Sequence, residues 1–170
     1  MQVDPSKLKP FVRTSASQIT TANRCGLRWW WQKIAGIPYT VGAGAILGSA
    51  VHKQLEDYLK KGTAPDGTKA GRIATVLIPL LPDPKTVDAA HVERRFGFKV
   101  SGTEIQGIGY IDLIRPGLEA VDHKTRSDAR WIVQPDQLKT DIQSILYSSH
   151  VAGRYDFTDG PVTFAHYNAL

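Results

Sequence analysis

The fold depends most on the stretch GYIDLIRPGLEAVDHKT, residues 109–125. Two runs rich in apolar residues flank the turn-forming pair Pro116-Gly117, which predicts two adjacent antiparallel strands. Side chains alternate between the two faces of a strand, so Asp122 and Lys124 are expected on one face and His123 on the other. An acid and an amine placed in this way form either a surface ion pair of little energetic value or part of a chemical site.

The acidic residues of this stretch favour the chemical site. Asp112 lies between Ile111 and Leu113, and a carboxylate inside an apolar strand costs free energy unless it is paired or binds a cation. If the two strands pair across the turn, Asp112 and Asp122 meet at one edge of the sheet. Two carboxylates about 4 Å apart repel by roughly 4 kcal/mol at an effective dielectric near 20. A divalent cation would turn that repulsion into attraction, and oxygen ligands suit Mg²⁺ or Mn²⁺.

Two further residues extend the candidate site. Lys124 could hold or deprotonate a water molecule that attacks phosphorus, and its charge could stabilise the pentavalent phosphate. His52 follows Gly48 by one helical turn, where the missing side chain would permit a close approach, and a neutral imidazole could complete a metal site. Each residue alone also has a structural interpretation, as a paired acid, an ion pair or a core histidine.

The remaining chain predicts an α/β fold. Helical periodicity or capping signals predict helices at 15–36, 44–61, 70–82 and 135–153. Alternation predicts strands at 90–100, 104–114, 118–125 and 161–170. This order predicts a mixed central β-sheet flanked by helices, in a single domain of residues 15–170 preceded by an N-terminal arm, residues 1–14.

Composition narrows the class of protein. The 170 residues suit one core, and 21 Lys plus Arg against 16 Asp plus Glu give a net charge of +5, compatible with a polyanionic partner.

The single cysteine, Cys25, excludes a disulfide framework within the chain and is expected to be a small buried residue. No apolar run approaches a membrane span or a signal-peptide core, so we expect a cytoplasmic protein without membrane association.

Four short motifs occur in a fixed order: GSAVH (48–52), GYID (109–112), DHK (122–124) and QSILY (143–147). With the segment SASQITTANRCGLRWWW (15–31), they resemble the RecB-like exonuclease branch of the PD-(D/E)XK nuclease superfamily. The resemblance implies a restriction-endonuclease-like core and a metal-binding site formed by His52, Asp112, Asp122 and the backbone carbonyl of His123. It implies catalytic roles for Lys124, Asp112 and Asp122. Gln143 and Tyr147 would contact DNA phosphate or brace the site.

The resemblance also implies the reaction. The substrate would be DNA, hydrolysed by metal-activated water to leave a 5′-phosphate, by an exonuclease of recombination, repair or phage DNA processing. The alternative is a non-catalytic DNA-binding module that retains the nuclease fold. A further alternative is the nuclease part of a larger assembly, in which a recombination or helicase protein is the partner. The oligomeric state stays open.

Three positions deserve comparison with the family. Asp122 stands where many relatives have glutamate. Cys25 occupies the first position of an iron–sulfur cysteine set found in some relatives, but no further cysteine exists, so no such cluster is expected. Glu93 lies where relatives often carry a glutamate, but we expect it on a solvated strand face.

Overall fold

The computed structural model describes residues 11–154 and 162–170. The chain divides into two compact units, Met1–Thr40 with Arg95–Gly109 and Val41–Arg94 with Tyr110–Leu170. We call these the first and the second unit. The predicted single domain stays a prediction, and residues 1–10 of the predicted arm lie outside the described residues.

Six helices and five strands make up the regular structure of the described residues. The helices are α1 (Ala16–Arg24), α2 (Gly26–Lys33), α3 (Ala43–Lys61), α4 (Lys69–Leu77), α5 (Pro135–Leu138) and α6 (Ile142–Arg154). The strands are β1 (Arg13–Thr14), β2 (Val92–Lys99), β3 (Gln106–Arg115), β4 (Glu119–Thr125) and β5 (Thr163–Ala169). Short 3₁₀ turns connect several of these elements.

The strands form a mixed sheet. β3 and β4 are antiparallel, with Leu113 opposite Val121, as the turn at 116–117 predicted. β4 and β5 are parallel, with Asp122 opposite His166. β1 pairs in parallel with the start of β3, and β2 also pairs with β3. A central mixed sheet flanked by helices confirms the predicted α/β, restriction-endonuclease-like class.

The helix predicted over 15–36 is two helices, because Cys25 interrupts it. Cys25 has extended backbone angles, φ −159° and ψ 96°, and its Sγ accepts a hydrogen bond from the backbone N–H of Arg28 at 3.5 Å, which caps α2. The expected start is confirmed, since Ser15 Oγ accepts from the N–H of Gln18 at 3.4 Å. Cys25 is exposed rather than buried, because its side chain caps a helix end instead of packing in the core.

The helix predicted over 135–153 is also interrupted. α5 ends at Leu138, and α6 begins at Ile142 after the carboxylate of Asp141, which accepts the backbone N–H of Ser144 at 2.9 Å. An aspartate at this position satisfies a free N–H group of the first helical turn. Apolar periodicity continues through the break and therefore did not reveal it.

The core of the second unit forms along one face of α3. Val51, Leu55 and Leu59 repeat every four residues and are almost completely buried. The first two pack with residues of α4, and Leu59 packs with Leu113 of β3 and Val121 of β4. Complete burial of one such side chain stabilises the fold by about 1.5–3 kcal/mol. This packing holds the middle of α3, including His52, against the sheet.

Replacing Gly71 of α4 by alanine is expected to destabilise the protein by about 1–3 kcal/mol. Alanine normally stabilises a helix interior by about 1 kcal/mol relative to glycine. Here the new Cβ would collide with the backbone carbonyl of Asp66, which cannot rotate away. Urea unfolding followed by circular dichroism measures the change.

Gly48→Ala in α3 is the matched control. No atom of the described residues outside the helix backbone lies within 4 Å of a Cβ at that position, so the alanine should be neutral or stabilising. Equal unfolding midpoints for the two variants would contradict this account of the α4 packing.

Candidate metal centre and active site

Three potential metal ligands converge within the second unit. His52 of α3, Glu93 of β2 and Asp112 of β3 each offer a ligand atom, and these atoms all lie within 4.8 Å of one another. His52 Nδ1 and Asp112 Oδ2 are 3.4 Å apart. Three distant segments of the chain therefore contribute to one cluster.

Glu93 is the member that was expected on a solvated strand face. Its φ of +51° lies in the left-handed region, which residues other than glycine seldom adopt and which is common at functional sites. Such a residue interrupts the alternation of a strand, so counting along β2 mispredicts the direction of its side chain. Burial, together with the nearby negative charge of Asp112, raises the pKa of Glu93 to about 7. The signal in the sequence that pointed to Glu93 was the family resemblance, which implies a glutamate at this position.

Asp112 is buried and fixed by its surroundings. Its Oδ2 accepts the backbone N–H of His123 at 2.7 Å and lies 3.6 Å from His123 Nδ1. Burial alone would raise the pKa of Asp112, but its contacts with His52 and His123 together outweigh burial and hold the pKa below its ordinary value. Burial correspondingly opposes protonation of His52, yet the contact with Asp112 raises the pKa of the imidazole. The protonated imidazole and the carboxylate thus form a charge pair, and a cation bound by both groups would take the place of the imidazolium proton.

A second group forms around Asp122, which is only 1% exposed. Lys124 Nζ lies 2.6 Å from Asp122 Oδ2, so the two side chains share one face as predicted. Burial raises the pKa of Asp122 to about 6, against the attraction of Lys124 and with the repulsion of Asp112. Because the Asp122 carboxylate is buried, its pair with Lys124 is not the surface ion pair that the sequence also allowed.

Gln143 of α6 links this group together. Its Nε2 donates to Asp122 Oδ1 at 2.6 Å and to the Tyr147 hydroxyl at 2.8 Å, while its Oε1 accepts from Lys124 Nζ at 2.9 Å. The amide therefore holds the lysine and the aspartate in a fixed relation. Tyr147 is 6% exposed, so bracing is the role that these contacts support for the pair, and DNA contact stays a prediction.

His166 of β5 adjoins the same carboxylate. It stands opposite Asp122 in the parallel β4–β5 register, and its Nε2 lies 3.4 Å from Asp122 Oδ2. Burial, together with the charge of Lys124, lowers the pKa of His166 to about 4, so the ring is neutral at pH 7. Nothing in the local sequence around His166 indicated this contact, which arises only from strand pairing.

The structure thus distributes the predicted residues over two adjoining groups. His52 and Asp112 join Glu93, and Asp122 and Lys124 join Gln143. The groups are electrostatically coupled, since Asp112 raises the pKa of Asp122 and Asp122 raises the pKa of His52. The proposed ligation by the His123 carbonyl stays a prediction.

The donor set of the first group fits a divalent cation. Two carboxylates and one imidazole are ligands that Mn²⁺ accepts, and the carboxylates suit Mg²⁺. Ligands on one ion with bonds of about 2.1 Å lie about 3–4 Å apart. The 3.4 Å separation of His52 and Asp112 is in this range, and the 4.8 Å limit of the cluster needs only a small contraction.

Among the comparisons with known proteins, one family model matches part of the chain. No curated protein and no solved structure matches the chain significantly. Among the described residues, no helix combines the length and apolar character of a membrane span. The family model of the PD-(D/E)XK nuclease superfamily matches residues 13–85, a stretch that contains α3 and His52 and ends before β2. This match, together with the mixed sheet and its carboxylate–histidine cluster, supports the PD-(D/E)XK nuclease superfamily for this chain.

Proposed function

We propose that this protein is a metal-dependent DNA nuclease that hydrolyses phosphodiester bonds. The main support is the cluster of His52, Glu93 and Asp112 next to a buried carboxylate that holds a lysine amine. Ligands for a divalent cation and a fixed ammonium group are parts that can accelerate phosphodiester hydrolysis. The superfamily match to residues 13–85 favours the same reaction.

His52, Glu93 and Asp112 would hold Mg²⁺ or Mn²⁺, with Asp122 beside them. A bound cation of this kind supplies Lewis-acid polarisation of a phosphoryl oxygen and lowers the pKa of water. The protein holds Asp112 in place through the backbone N–H of His123, so the ligand geometry exists before substrate binds. Such support from outer partners typically changes metal affinity by about 10- to 100-fold.

Lys124 is the proposed catalytic lysine. Its side chain is 24% exposed, whereas that of Asp122 is 2% exposed, so the amine is accessible from solvent while its partner is enclosed. Asp122 and Gln143 hold the ammonium group before the reaction begins, which avoids a cost of reorientation when charge develops on the phosphate. The amine can also donate a hydrogen bond to the attacking water.

The test is cleavage of linear and circular DNA with Mg²⁺, Mn²⁺, Ca²⁺ or a chelator. We expect cleavage with Mg²⁺ or Mn²⁺, none with the chelator, and a loss of about 10²- to 10³-fold in Asp122→Asn. Ligation of the products to an acceptor bearing a 3′-hydroxyl would detect the expected 5′-phosphate. Asp57→Asn, which changes a surface carboxylate of α3 that pairs with Lys61, is the control and should retain full activity.

The same experiment separates the alternative function. Binding to DNA that weakens with salt, without cleavage in any cation, would contradict the nuclease and favour a DNA-binding module that keeps the fold.

The finer proposal is a RecB-like exonuclease of recombination, repair or phage DNA processing, acting with a recombination or helicase protein. It rests on the order of the motifs GSAVH, GYID, DHK and QSILY. An exonuclease should degrade linear DNA and spare closed circles. The cytoplasmic location stays a prediction.

A further inference from the structure

A groove of about 350 Å³ lies on the strands of the first unit. Arg95, Gly97 and Lys99 of β2 contribute to its lining, and Arg13 of β1 and Gln106 of β3 do so as well. We call this feature the basic groove. None of its residues belongs to the candidate metal centre.

Strand geometry explains why the cations gather there. Residues at alternate positions of a strand share one face, so Arg95, Gly97 and Lys99 project to the same side of β2. Arg13 is the register partner of Gln106 in the parallel β1–β3 pair, which adds a cation from the start of the described chain. Gly97 has no side chain and leaves the floor between the two cations of β2 open.

The described part of the chain leaves the charge of the basic groove largely unneutralised. Lys99 has one acidic neighbour, Glu104, which is 96% exposed and lies 3.4 Å away. Within residues 11–154 and 162–170, neither Arg13 nor Arg95 forms an ion pair with an acid. By contrast, Lys53, Lys60 and Lys61 of α3 all pair with carboxylates of their own helix. The groove therefore offers two arginines and a lysine to an external anion.

We propose that the basic groove binds the phosphodiester backbone of a DNA strand and so holds the substrate, an inference that rests on the proposed function. Arginine side chains match phosphate oxygens with two parallel hydrogen bonds. Arg95 and Lys99 are four residues apart, about 13 Å along an extended strand, which is long enough to meet more than one phosphate. The Gln106 amide adds a neutral donor. Contacts of this kind position DNA without selecting sequence.

The test measures binding by the full chain in the presence of a chelator, where a metal-dependent nuclease cannot cleave. Fluorescence anisotropy with labelled single-stranded and duplex oligonucleotides would give Kd between about 50 and about 200 mM salt. The charge variant is Arg13→Gln with Arg95→Gln. Each lost phosphate contact should reduce the slope of log Kd against log salt by about 0.7–0.9, so the double variant should lose about 1.5.

The control is Lys61→Gln with Lys139→Gln, which removes the same charge from two surface lysines already paired with acids. Its slope should equal that of the wild type. An equal fall in both double variants would show only a net-charge effect and would overturn the proposal.

A second variant keeps every charge and fills the space. Among the described residues, a Cβ at Gly97 would meet only the Gly107 carbonyl oxygen, at an ordinary 3.7 Å, so we expect Gly97→Leu to fold. We expect Kd for DNA to rise about tenfold, a change of about 1.4 kcal/mol. Unchanged affinity in this variant would also overturn the proposal.

Two comparisons keep this inference separate from the proposed nuclease. If wild type cleaves DNA with Mn²⁺ while the groove variants bind like wild type, the groove proposal fails and the nuclease stands. If the slope falls as expected but no cation supports cleavage, the groove stands and the nuclease fails. If the groove variants lose binding to polyglutamate but still bind DNA like the wild type, the occupant of the groove is an acidic protein. That result would contradict the proposal.

Discussion

Replacing Lys124 by methionine is expected to lower the rate of DNA cleavage by about 10²- to 10³-fold, because a positioned cation would be lost from the developing charge. Binding of Mn²⁺ should persist, since His52, Glu93 and Asp112 are unchanged. Single-turnover cleavage at saturating protein measures the chemical step, and titration with Mn²⁺ measures the metal site. Unchanged cleavage would exclude Lys124 as the catalytic lysine.

Lys124→Met should also lower the free energy of unfolding, and this loss of stability can be separated from the loss of cleavage. Removing the amine leaves the buried Asp122 carboxylate without its charged partner, and breaking a buried pair in this way costs about 3–5 kcal/mol. The double variant Lys124→Met with Asp122→Asn removes both charges and should recover most of the stability without recovering cleavage. Lys53→Met, which changes an exposed lysine of α3, should alter neither property appreciably. Recovery of cleavage in the double variant would mean that Lys124 acts only through folding.

Asp112→Asn is expected to abolish the stabilisation by Mn²⁺ and to reduce cleavage by about three orders of magnitude. An asparagine oxygen can still accept the backbone N–H of His123, so the fold should survive. The lost charge is what a divalent cation requires. In the wild type, a cation at 100 times its Kd should add about 2.7 kcal/mol to the free energy of unfolding. Thermal unfolding with and without Mn²⁺ measures this difference.

Two further variants show whether an effect of Asp112→Asn is specific to the metal centre. Asp57→Asn makes the same chemical change at a surface carboxylate and should retain the full response to Mn²⁺. Glu93→Gln should weaken the response, because Glu93 belongs to the same cluster. A normal Mn²⁺ response in Asp112→Asn would place the cation elsewhere and contradict the proposed centre.

Local pattern predicted much of the scaffold. Apolar spacing predicted α3, whose buried residues Val51, Leu55 and Leu59 lie on one face. The turn at 116–117 predicted the antiparallel pairing of β3 and β4. The two helix breaks were missed, because Cys25 and Asp141 act through capping hydrogen bonds that leave the apolar period almost unchanged.

The candidate site shows the same division. Neighbours along one element were predictable, since the period of a strand places Lys124 beside Asp122 and the period of a helix places Tyr147 beside Gln143. Contacts between different elements were harder to predict from the sequence. His166 reaches Asp122 only through the β4–β5 register, and the distant acid that joins His52 and Asp112 is Glu93, which has a left-handed backbone.

The sequence by itself determined the class of fold, the motif order and the pairs of side chains that share one strand face or helix turn. These depend on the spacing of neighbours, which a repeating backbone converts directly into direction. Only the tertiary structure decided which distant groups meet: Glu93 with the metal cluster, His166 with Asp122, and Arg13 with Arg95 and Lys99 in the basic groove. These contacts depend on strand register and on the left-handed backbone of Glu93, neither of which is specified by the spacing of residues along the chain.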